Sequence, residues 1–162
     1  MTRLLTAFYF RQSGIQGSEA TFEFTHKSFG EYLTARRVVR EMMLIHQQFS
    51  QHQDDSDLGW DERECLKRWA TLCGKTALDE YLLSFLRDEV QLYSKDEVRR
   101  WQQTFTALVS DVLQHGMPME KFDVRPSFLE ETRQARNTGE TLLAALDGCA
   151  RVTEETCRLD WK

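Results

Sequence analysis

At 162 residues, 41% apolar and 29% charged, the chain is long enough to build a core and too apolar to stay disordered. Its net charge of −5, with no long basic run, argues against nucleic acid as a partner. No apolar stretch approaches the roughly 18 residues of a membrane span, and no basic-then-apolar leader marks export, so a cytoplasmic protein is expected.

Taken in order, Leu4–Arg11 reads as a strand, Gln12–Ala20 with Gly14 and Gly17 as a turn, and Thr21–Thr25 as a returning strand. In the second strand Phe22 and Phe24 alternate with polar neighbours, the period of a half-buried strand. The pair makes a β-hairpin, consistent with the wing of a winged helix, and two strands alone are only marginally stable. The alternation breaks at Thr25-His26-Lys27. Ser28 with Glu31 three residues on forms a capping box, in which hydroxyl and carboxylate satisfy orphan N–H groups at a helix start. Tyr32, Ala35, Val39, Met42 and Phe49 then recur at helical spacing, giving one apolar face. His26 thus stands at a strand-to-helix corner, close to N–H groups that favour anions.

The polar Ser50–Gly59 stretch reads as a loop. Asp61–Cys73 carries Leu66, Trp69, Ala70 and Cys73 on one face and is closed by Gly74. Thr76 is expected to open the next helix, with Leu78, Leu82 and Phe85 or Leu86 inward. Ser94 and Glu97 form a second capping box ahead of an apolar stripe, Val98, Trp101, Phe105, Leu108, Val109 and Val112, which His115, Gly116 and Pro118 terminate. Ser127 and Glu130 form a third, opening a helix to about Thr156; its first half is mostly charged, its second half apolar, and Gly139 is a candidate bend. The fold class expected is mainly α, an N-terminal β-hairpin followed by about five helices. It divides into a hairpin and long helix over 1–49 and a helical domain over 60–162.

Phe22, Phe24, His26, Ser28, Phe29, Glu31, Tyr32, Ala35 and Arg37 together resemble the end of the winged-helix region of NACHT-type STAND NTPases, signalling ATPases that include NOD-like receptors and bacterial antiphage relatives. Position 30 is Gly where that family often has Gln. The match covers a small part of the chain; the remainder resembles, less sharply, the helical segment that follows the NTPase core in bacterial members. The resemblance implies that His26 reaches the β-phosphate of ADP bound elsewhere in a larger protein, with Phe22, Phe24, Phe29, Tyr32 and Leu33 packing around it. It implies as partners the NTPase core and a C-terminal sensor, with ADP or ATP and Mg held by that core and no cofactor in this chain. It also implies that the chain is a piece of such a protein, since the helices that should precede a wing do not precede this one.

The chain is not expected to be an enzyme by itself. A P-loop needs G-x-x-x-x-G-K-[ST] between strand and helix, and Gly74-Lys75-Thr76 follows a helix whose position five before Gly74 is Trp69. No Walker-B-like strand is visible. Helical HEPN ribonucleases use an Arg-x(4–6)-His motif, which Arg40 and His46 resemble in spacing. Six residues being about 600° of rotation, the two are expected on nearly the same helix face. Glu41 beside Arg40 departs from that family and opposes a phosphodiester, and Arg36, Arg37 and Arg40 read equally as a solvated basic face. Asp54, Asp55 and Asp57 lack the Gly and terminal Glu of an EF-hand. The four cysteines, Cys65, Cys73, Cys149 and Cys157, lack C-x-x-C spacing and read as buried reduced thiols, with no metal site. A further reading is a helical protein–protein interaction scaffold; an apolar patch beside the hairpin makes homo-oligomerisation a possible partner state.

Overall fold

The computed structural model describes residues 10–16, 19–24, 27–119 and 127–161, with side chains described over 29–119 and 127–161. The folded body is all-helical: α1 (Lys27–Asp54), α2 (Glu62–Cys73), α3 (Glu80–Val90), α4 (Lys95–His115) and α5 (Phe128–Thr153). No helix among the described residues is long and apolar enough to cross a membrane.

The expected fold class therefore needs correction, because the body contains no sheet and no β-hairpin wing contributes to its core. Residues 10–16 and 19–24 run antiparallel as a two-stranded ribbon, with Phe10 opposite Phe24 and Gln16 opposite Glu19, and no third strand joins it among the described residues. Much of the expected turn, Gln12–Ala20, is in the ribbon itself, while the start of the expected first strand at Leu4 lies outside the described residues. The physical reason is that five amphipathic helices close a core among themselves, whereas a two-stranded ribbon has one face and no second layer. That core takes Ala35, Val39, Met42 and Ile45 from α1 together with Trp69, Leu86, Phe105 and Leu142 from the other four helices, so buried residues lie on both sides of the division placed at 50–59.

Each later helix starts where a side chain can take an orphan N–H. Asp61 accepts from the Glu64 N–H at 2.7 Å and Asp79 from the Leu82 N–H at 2.8 Å. Ser94 and Glu97 form the full capping box; Ser127 accepts from the Glu130 N–H. Thr76 does not open α3: Asp79, three residues on, is the better acceptor and does so. The α1 helix runs five residues past Phe49, to Asp54, because Ser50–Gln53 contains no strong breaker.

The loop that follows turns at Gly59, whose φ of +70° lies in the left-handed region that favours glycine. A Cβ there would run into the Gln48 carbonyl and lie 2.7 Å from the His52 nitrogen. The loop can therefore fold flat back along α1, where the Trp60 N–H donates to the Gln48 carbonyl at 3.1 Å.

Trp69, fully buried, sits at the centre, edge-on to Phe105 with ring centroids 5.2 Å apart. Its indole N–H donates to the Thr138 carbonyl at 3.2 Å, which ties α2 to α5. Asn137 adds a second tie, donating from Nδ2 to the Gly74 carbonyl at 2.9 Å. The α5 helix is one continuous element, and Gly139 faces open space. After Thr153 the chain reverses at Glu154 (φ 60°) and runs along α4: Gln102 Nε2 donates to the Glu155 carbonyl at 3.0 Å, and the Asp160 N–H to Ser110 Oγ at 3.0 Å. Trp69 and Trp101 are buried in the core, Trp60 is half-buried against it and Trp161 is exposed.

Candidate functional site

The features singled out in the sequence cluster on α1 and just before it. His26 lies outside the described residues and immediately precedes Lys27, the first residue of α1. Ser28 is the second residue of α1. Glu31 is half-buried and lines a groove with Gly30, Thr34, Thr76, Asp79 and Leu82. A cavity of ≈ 290 Å³ adjoins it, bounded by Thr34, Arg37, Cys73 and Thr141 among others.

The pairing of Arg40 with His46 is not formed. A rotation of about 600° is one full turn plus two-thirds of another, which leaves the two side chains about 120° apart rather than on one face. Arg40 is exposed, whereas His46 turns inward and shares a hydrogen bond between Nδ1 and Thr104 Oγ1, 2.9 Å away on α4. Burial, and then the positive charge of Arg100, hold the His46 pKa below its ordinary 6.5. The sign of the linkage follows. The folded chain favours the neutral ring and the unfolded chain takes up the proton more readily, so His46 lowers stability progressively as pH falls through about 6.5, until the folded-state pKa is passed. His46→Gln is expected to flatten the decline in thermal midpoint between about pH 7 and pH 5. An unchanged slope would assign the linkage to another group.

What α1 does assemble is an arginine–glutamate lattice. Glu41 is fully buried, and its two carboxylate oxygens are taken separately: Arg37 Nη1 donates to Oε2 and Arg68 Nε, from α2, to Oε1, each at 2.5 Å. One turn away Arg36 pairs with Glu89 on α3, itself 7% exposed, at 3.4 Å, and its guanidinium lies 5.9 Å from the Tyr32 ring centroid. These are charge-assisted contacts to desolvated carboxylates, and they fix three guanidinium groups in place. Pattern reading missed Glu41, because a charged residue in a helix is assigned to solvent. The available signal was Arg37 one turn before it on the side of the apolar face.

The cysteine reading holds for the three buried thiols. Cys65, Cys73 and Cys149 are free, and burial first of all pushes each thiol up to about 12, so none is a nucleophile at neutral pH. Gly74 caps α2 where the sequence places the stop, but in right-handed helical conformation rather than the left-handed one that favours glycine. Among the described residues no group of three or more His, Cys, Asp or Glu could hold a metal ion. No protein family, curated protein or solved structure matches the chain.

Proposed function

We propose that the chain is a non-catalytic transmission module of a NACHT-type STAND signalling ATPase. In this reading His26 contacts the phosphate of ADP held, with Mg, by an NTPase core elsewhere in the protein. The observation that supports it most directly is continuity. The motif that runs from Phe22 through His26 to Arg37 leads into α1, which begins one residue after His26 and whose later turns are built into the common core. A displacement at the α1 N-terminus is carried as a rigid-body shift into α2 and α3, because Glu41 and Glu89 bind the three helices by ion pairs. Loss of the ADP contact releases the helical body, which passes the motion to a C-terminal sensor. A cytoplasmic location and a role in antiphage defence accompany this reading.

The test is nucleotide retention in the protein purified at its full natural length. A charge-assisted hydrogen bond contributes about 1.5–3 kcal/mol, so His26→Ala is expected to weaken ADP retention by roughly 10- to 100-fold and to raise basal signalling. Equal ADP occupancy in wild type and variant removes His26 from the switch. A wild-type protein that retains no nucleotide favours the interaction-scaffold reading instead.

A further inference from the structure

The outer face of α1 is basic in an acidic protein. Between Tyr32 and Gln53 the only acid is Glu41, and it is buried, so the exposed charges of this stretch are Arg36, Arg37 and Arg40. Arg68 extends the ridge from α2. Four positive groups thus stand over two glutamates, in a chain whose net charge is −5. Arg37 and Arg68 keep 44% and 46% of their side chains exposed while each spends one nitrogen on Glu41. Arg40, between them, has no hydrogen-bond or ion-pair partner among the described residues. Open depressions flank the ridge: one of ≈ 490 Å³ beside Met43, Leu44 and Arg68, and another of ≈ 380 Å³ beside Leu33, Glu89 and Tyr93.

We propose that this ridge is a docking surface for an acidic segment of a partner protein. Aspartate or glutamate carboxylates of the partner pair with Arg40 and the outward edges of Arg37 and Arg68, and neighbouring apolar side chains of the same segment enter the flanking depressions. Guanidinium groups suit carboxylates because their planar donor fork matches the two oxygens, and those held by buried glutamates lose little freedom on binding. A protein segment fits better than nucleic acid for a reason of length. From Arg36 to Leu44 the ridge spans about two helical turns, roughly 12 Å. Further on, at the end of α1 and in the loop after it, lie the exposed Asp54, Asp55 and Asp57, which repel a longer polyanion. The inference does not depend on the nucleotide reading.

The test is fluorescence anisotropy of the full chain with three labelled probes: a peptide alternating glutamate with leucine, its glutamine-for-glutamate counterpart, and a single-stranded oligonucleotide. The acidic peptide is expected to bind, to weaken as salt rises, and to bind Arg40→Glu at least roughly 10-fold more weakly, while the thermal midpoint of the variant stays at the wild-type value. Arg40→Lys, which keeps the charge, retains most of the affinity. Equal binding of the two peptides, unchanged binding by Arg40→Glu, or tighter binding of the oligonucleotide each overturns the proposal.

Discussion

Replacing Arg37 and Arg68 together with alanine is expected to destabilise the fold by about 3–5 kcal/mol, seen as a fall in the urea midpoint at constant slope. The carboxylate of Glu41 is fully buried, and those two guanidinium groups are the partners its oxygens have. Remove one and the other still pairs; remove both and a charge is left in the core without compensation. Each single substitution should therefore cost less than half of the double. Adding Glu41→Leu to the double variant should recover most of the loss, because an apolar side chain needs no partner there. A double variant that loses under about 1 kcal/mol would show the network to behave as an ordinary surface pair.

Trp69→Ala is the other substitution of comparable size, at about 3–5 kcal/mol, or roughly 6–20 °C in thermal midpoint for a domain of this length. The indole is fully buried, packs edge-on to Phe105 and donates to the α5 backbone at Thr138. Two contributions are removed at once, volume and a hydrogen bond, and Trp69→Phe separates them. Phenylalanine keeps most of the ring volume and loses the N–H, so its cost is expected near 1–2 kcal/mol, roughly what one buried hydrogen bond and imperfect refilling contribute. If the two variants lose equal stability, the Thr138 tie rather than the packing holds α2 against α5.

Elements were more legible in the sequence than the contacts between them. Caps and stripes depend on neighbours within a few residues, which is why Ser94, Glu97 and Ser127, and the apolar face of α4, could be read directly. The start of α3 went to Thr76 because Asp79 competes with it within the same few residues, and spacing does not rank the two. The first half of α5 looked charged and solvated. In the fold it docks through Gln134, Asn137, Thr138 and Thr141, whose amide N–H and hydroxyl groups bond to backbone carbonyls and to Glu130, while the Gln134 and Asn137 amide oxygens are buried without a partner among the described residues. Such burial has no periodic signature, since the same residues face water in most helices. Glu41 escaped for that reason too. His46 found its partner 58 residues away, a distance at which a local pattern carries no information.

The cover that α5 provides has a consequence for how the molecule opens. This last helix carries the Asn137 and Thr138 ties, and it covers α2, α3 and α4 with Leu142, Ala145 and Cys149. Were α5 alone to lift away, Trp69, Leu86 and Phe105 of the preceding helices would be uncovered on one side. Partial opening at this helix therefore bares a sticky apolar surface, the kind of exposure on which aggregation and chaperone capture act.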